Sequence, residues 1–239
     1  MSVDLTTRSD KESKVLYPEL TNATLFATIP QNLRALFDRY TYPWEILSVL
    51  GDYIRELGAS LPRSEYEEIA PGIWVAHSAA IHPTAELTAP TIVEPGAAVQ
   101  RNAYVRDRVY LAAESVVGHL CEVKNCILLN QAHVAHYNYV GDSIVGNRSH
   151  LGAGVILSNL RSDRRLIEIR YKGGRVPTGV LKMGAALGDD TELGCGAVLN
   201  PGTVIGQRGV VRPLASVIGF VPSRHIYNKD GSVTPYSSE

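Results

Sequence analysis

The sequence predicts an all-β protein: a parallel β-helix of hexapeptide repeats, preceded by a short α-helical N-terminal region. The first observation behind this is an apolar ladder at a fixed interval of six. Val75, Ile81, Leu87, Val93, Val99, Val105, Leu111, Val117, Val123 and Leu129 fall into register, and Leu181, Leu187, Leu193, Leu199, Ile205, Val211 and Val217 resume the beat. Such a period fits neither a helix at 3.6 nor an amphipathic strand at 2. It fits a triangular coil in which each side supplies one inward residue. The second observation is what lies between the rungs: small, turn-prone runs such as His77-Ser78-Ala79-Ala80 and Glu94-Pro95-Gly96-Ala97. Small residues suit tight corners, and β-branched rungs suit buried parallel strands. Three hexads make a coil of about 18 residues, so residues one coil apart stack about 4.8 Å from each other.

Taken in order, residues 1–71 form a polar tail and a helical cap. The start, MSVDLTTRSDKESK, is polar, is expected to be disordered, and lacks the apolar core of a signal peptide. Leu33, Leu36, Phe37 and Tyr40 fit one helical stripe. Trp44, Ile46, Leu47, Leu50, Tyr53, Ile54 and Leu57 fit a second, which Gly58 ends. Such a pair could recruit a partner, but capping the first coil is the simpler expectation, because a solenoid end otherwise exposes unpaired backbone. Residues 72–222 form the β-helix. The beat falters after Leu129, where Tyr139, Val145, Leu151 and Leu157 lie two residues short of the earlier register.

From 158 to 180 the ladder is absent, which reads as an excursion: a hairpin of Leu166–Tyr171 and Arg175-Val176 around Lys172-Gly173-Gly174. Six basic residues against Asp163 and Glu168 make it cationic, either a solvated loop or an arm for a phosphate-bearing ligand. Residues 223–239 read as a polar, mobile tail.

Composition narrows the function. A net charge of -1 and the lack of a Lys/Arg-rich tract argue against nucleic acid. No run of 18 apolar residues predicts a membrane span. Three cysteines without Cys-x-x-Cys spacing read as reduced thiols, so a cytoplasmic location is expected.

The chemistry-bearing residues gather at the faltering register: Glu122-Val123-Lys124, His133, His136, Tyr139, Gly141-Asp142, His150 and Asn159. Arg106 and Lys124 are one coil apart and should stack on one face, a natural phosphate clamp. A histidine beside them, with an ordinary pKa near 6.5, suits a general base.

The blocks EVKN, HYNYVGDSIVG, HLGAG and SNLRSD resemble the acetyltransferase domain of the bifunctional glucosamine-1-phosphate N-acetyltransferase/N-acetylglucosamine-1-phosphate uridyltransferases, and especially their archaeal-type sugar-1-phosphate nucleotidylyltransferase/acetyltransferase relatives. The similarity runs over about residues 73 to 220. It implies that the β-helix is left-handed, against the usual right-handed crossover. It implies acetyl transfer from acetyl-coenzyme A to an amino-sugar phosphate such as glucosamine-1-phosphate, with His136 as general base and no metal required. Position by position, it implies that Arg106 and Lys124 hold the sugar phosphate, that Glu122 and Tyr139 position the substrate, and that Asn159 orients it near the thioester. Arg165 falls where the family has a lysine near the phosphate, and His150 stands where it has an asparagine. Ala153, Gly154 and Cys195 would face the coenzyme A arm. A homotrimer with sites between chains is implied too.

The nucleotidyltransferase half has no counterpart here: residues 1–70 hold no glycine-rich phosphate loop. A separate nucleotidyltransferase partner is therefore a further expectation. Two alternatives stand beside this reading. One is a non-catalytic solenoid that binds sugar nucleotides or scaffolds a partner. The other is a zinc site of His119, His133 and His136, as in solenoid carbonic anhydrases.

Overall fold

A computed structural model describes residues 15–236. The disorder expected for residues 1–14 lies outside the described residues. Three short helices come first, α1 (Asn22–Leu25), α2 (Arg34–Arg39) and α3 (Pro43–Ser60). Pro43 opens α3, and Glu45 Oε2 accepts from the backbone N–H groups of Tyr42 and Thr41 at 2.8 and 3.0 Å. A proline needs no N–H partner in the first turn, and the returning carboxylate satisfies donors that the helix leaves open.

The rest is the expected parallel β-helix. Side 1 stacks Ile73–Ala76, Thr91–Val93, Val109–Leu111, the second halves of Glu122–Leu128 and Tyr139–Val145, Ala185–Leu187, Thr203–Ile205 and Phe220–Val221. Side 2 runs from Ala80–Ile81 through His133–Val134, His150–Leu151 and Glu192–Leu193 to His225–Tyr227. Side 3 runs from Glu86–Leu87 through Tyr104–Val105 and the first halves of the two long strands to Ser216–Val217. The rungs of the ladder fill the interior, from Val75 to Tyr227.

The faltering register has a specific form. Two corners each lack one residue, so the rung after Val123 is Leu128, and the one after Val140 is Val145. Each shortened corner turns on a residue in the left-handed region, Asn125 (φ 44) and Asp142 (φ 48). This corrects three ladder assignments. Leu129 packs outside the coil, Val140 rather than Tyr139 points inward, and Leu181 is 47% exposed on the excursion.

The helices do not close the end of the first coil. They lie along side 1, because that side is apolar on its outer surface as well. Ile92, Tyr110, Ile127, Ile144, Ala186 and Val204 face outward and bury Leu36, Trp44, Ile46, Leu47, Leu50 and Ile54. The first coil is flanked instead by the strand Tyr66–Ala70, antiparallel to Ile73–Ala76.

The excursion holds the expected hairpin, Glu168–Tyr171 against Gly174–Pro177. Its turn residues Lys172 and Gly173 both have positive φ (45° and 81°), which suits a tight hairpin turn. The hairpin folds back onto side 1, where Ile167, Ile169, Val176 and Met183 are buried with the helices. Lys172 and the Tyr171 hydroxyl bond to Glu19. At the other end the chain does not become a tail after 222. It forms a further strand, His225–Tyr227, paired antiparallel with Val233–Pro235.

Candidate functional site

The edge between sides 2 and 3 turns at Asn102, Leu120, Tyr137, Gly154, Gly196 and Leu214 on successive coils, all in the left-handed region. Immediately before them stand Arg101, His119, His136, Ala153 and Cys195. The coils are tied edge to edge: Tyr137 N donates to His119 O (3.0 Å), Gly154 N to His136 O (2.9 Å), Gly196 N to Ala153 O (2.8 Å) and Leu214 N to Cys195 O (3.0 Å). The fold thus places His136, Ala153, Gly154 and Cys195 in one column. His136 and Cys195 are exposed. Glycine at 154 and 196 leaves the column bare between Tyr137 (58% exposed) and Leu214 (65% exposed).

Three residues after His136, Tyr139 opens side 3, so their Cα atoms lie within about 11 Å. Tyr139 pairs across the sheet with Glu122, and Glu122 with Tyr104. Burial, then the charges of Glu122 and Asp142, push the Tyr139 phenol up, so it is neutral at physiological pH. At the far edge of side 3, Arg106 N donates to Val123 O, which sets Lys124 one coil below Arg106. The expected stack forms, but both cations already have partners. Arg106 Nη1 bonds Glu122 Oε1 at 2.7 Å, which holds the guanidinium pKa up. The Lys124 side chain is only 11% exposed, with Nζ 3.9 Å from Asp142 Oδ2.

Asn159, where the excursion departs, donates from Nδ2 to Asp142 Oδ2 (2.5 Å) and to the Tyr139 hydroxyl (3.2 Å). Gly141 makes this approach possible. A Cβ there would lie 2.6 Å from both Asn159 Nδ2 and Tyr139 Oη.

His150 sits on side 2, paired with His133, the rings 5.4 Å apart. Its Nδ1 is 3.2 Å from Glu192 Oε2. Burial, then the neighbouring His150 and His136, hold the His133 pKa below its ordinary value. Arg165 stands apart on the excursion, its side chain exposed and its N–H donating to Asp163 Oδ1 (3.2 Å). Among the described residues no group of three or more His, Cys, Asp or Glu is arranged to hold a metal ion, His119, His133 and His136 included. Cys121 and Cys126 are buried, and burial pushes both thiols up, so they are inert.

Sequence reasoning counted Asp142 among the chemistry-bearing residues without giving it a specific role, and gave none to Asn125 or Glu192. The first two were detectable as the residues at the two shortened corners, 17 apart. Glu192 was not, because its contact with His150 spans the excursion.

The chain matches the model of the family described as the GMPPB C-terminal domain over residues 87–218, more than half its length. It is 32% identical over 116 residues to a bifunctional sugar-1-phosphate nucleotidylyltransferase/acetyltransferase of Sulfurisphaera tokodaii, covering 48% of this chain and 29% of that protein. It is 34% identical over 109 residues to the bifunctional protein GlmU of Methanococcus vannielii, covering 46% and 26%. With GlmU of Methanococcus maripaludis the match is 28% over 197 residues, 75% of this chain and 44% of that protein. The chain therefore spans less than half the length of these relatives. Among solved structures, a hexapeptide transferase family protein from Anaplasma phagocytophilum aligns with a TM-score of 0.40 at 13% identity, over 70% of this chain and 82% of that one. With its ladder, its β-helix and a match across residues 87–218, the chain belongs to the GMPPB C-terminal domain family.

Proposed function

We propose that the chain is an acyltransferase that moves an acetyl group from acetyl-coenzyme A to the amine of an amino-sugar phosphate. The observation that carries this is the layout of side 3. An exposed histidine stands at one edge, two basic side chains at the other, and Glu122 and Tyr139 lie between them. The relatives named as sugar-1-phosphate nucleotidylyltransferase/acetyltransferases support the same chemistry.

In this reading His136 accepts the proton that the substrate nitrogen sheds as it attacks the acyl carbon, since an ammonium is no nucleophile. The carbon–sulfur bond then breaks, and coenzyme A leaves as the thiolate, which takes up the proton that His136 collected. Arg106 exchanges Glu122 for the phosphate, and Lys124 adds its charge from below. Tyr139 donates from a neutral phenol. The bare column at Ala153, Gly154 and Cys195, walled by Leu214, receives the pantetheine arm. Arg165 reaches the phosphate by movement of the excursion or from another copy of the chain. A homotrimer, with sites between chains, belongs to this proposal, as does a cytoplasmic location.

Thiol release from acetyl-coenzyme A, measured against a panel of amino-sugar phosphates, tests the function. Release that depends on a primary amine and a phosphate supports it; no release with any member refutes it. Light scattering should give a mass near three 26.0 kDa chains, and a single-chain mass would contradict the trimer.

A further inference from the structure

Asp142 is only 4% exposed, with each carboxylate oxygen engaged. Oδ1 accepts from Asn125 Nδ2 at 2.8 Å; Oδ2 accepts from Asn159 Nδ2 at 2.5 Å and lies 3.9 Å from Lys124 Nζ. Its backbone carbonyl also accepts from Gly184 N (2.8 Å), where the excursion returns, and Asn159 O accepts from Met183 N (3.0 Å). One buried residue therefore touches Lys124 and both ends of the excursion, and reaches Tyr139 through Asn159. So enclosed a carboxylate is closed to a substrate and acts through its neighbours.

A carboxylate only accepts hydrogen bonds, so the NH2 group of Asn159 must face it. That fixes the sense of the amide and leaves Oδ1 as the acceptor Asn159 can offer to a substrate hydroxyl or ammonium. Asn125, on the other side, donates to Asp142 and also to the Leu47 carbonyl of α3 (3.4 Å). Asn125 is itself 5% exposed. The two shortened corners bring these residues under the helix. In the preceding coil, whose corner is full, the equivalent residue Arg108 instead lays its side chain over Gly51 of α3.

We propose that Asp142 is a positioning residue of the acyl-acceptor site, and that α3 holds it there through Asn125. The helical layer is then part of the site rather than only a cover for side 1. This rests on the acetyltransferase reading above.

The test compares Asp142→Asn, Asn159→Ala and the double variant, with glucosamine-1-phosphate and acetyl-coenzyme A varied in turn. Asp142→Asn is expected to raise KM for the sugar phosphate about tenfold, as fits loss of a charge-assisted bond. KM for acetyl-coenzyme A should stay within about twofold. The double variant should fall well short of the product of the single effects, because one residue acts through the other. Multiplicative effects, or equal changes in both KM values, would overturn the proposal. Asn125→Ala keeps the carboxylate but removes both the bond that Asn125 gives it and the bond to Leu47 of α3. It should shift the same KM in the same direction, and an unchanged KM removes α3 from the account.

A second readout needs no turnover. In amide NMR spectra, the Asn159 side-chain protons, assigned by their loss in Asn159→Ala, should exchange slowly in the unsubstituted protein and fast in Asp142→Asn. Slow exchange in both would refute the positioning role. If the unsubstituted protein shows no turnover, the acetyltransferase reading fails, while this exchange measurement still decides whether Asp142 orders Asn159.

Discussion

Gly141→Ala isolates the geometry of the proposed acceptor site from the stability of the fold. Gly141 does not occupy the left-handed region, so alanine meets no backbone penalty there. The added methyl would instead sit 2.6 Å from Asn159 Nδ2 and from Tyr139 Oη, about 0.8 Å inside the 3.4 Å at which ordinary contact begins. Both side chains must retreat by most of an ångström. Overpacking of this kind costs about 1–3 kcal/mol, and in a chain of this size each kcal/mol lowers Tm by about 2–4 °C. A displacement near 1 Å can cost about 100-fold in rate. The expected outcome is a folded protein, a few degrees less stable, with kcat/KM for the amino-sugar phosphate reduced by about 10- to 100-fold. Thermal unfolding and the thiol-release assay measure the two halves. Unchanged kcat/KM in a folded variant would refute the reasoning, because the Tyr139–Asn159 contact would then have no bearing on turnover.

Two further predictions concern the scaffold. Leu50→Ala removes a fully buried α3 side chain from the cluster over side 1 and should destabilise by about 2–5 kcal/mol. A Tm within 2 °C of the parent would mean that the helical layer unfolds separately from the coils. His133 has a pKa below its ordinary value, so below about pH 6.5 the unfolded chain binds the proton more readily than the folded one. Stability should therefore fall with pH below that point and be unaffected by this group above it. His133→Gln should flatten the decline in Tm between pH 7.5 and 5, and an identical decline would remove His133 as its source.

The sixfold ladder made the coil interior legible from Val75 to Val123, because each inward position demands an apolar residue at a fixed interval. It failed where the corners shortened. Leu128-Leu129 offers two equivalent residues, and only the lost corner residue at Asn125 decides which one turns inward. The place of the helices was written in the sequence too, as a second apolar column, Ile92, Tyr110, Ile127 and Ile144, one residue before the rungs. The stack of Arg106 over Lys124 was legible, because one coil separates the two. The site was not legible where partners meet across the excursion, as with Glu192 beside His150.

The proposed chemistry turns on an exposed His136 that accepts the amine proton. His136→Ala leaves the core untouched, so its fold and Tm should match the parent. Its kcat for acetylation of glucosamine-1-phosphate is expected to fall about 10²- to 10⁴-fold. Acetylation by the variant at the parent rate would contradict that chemistry.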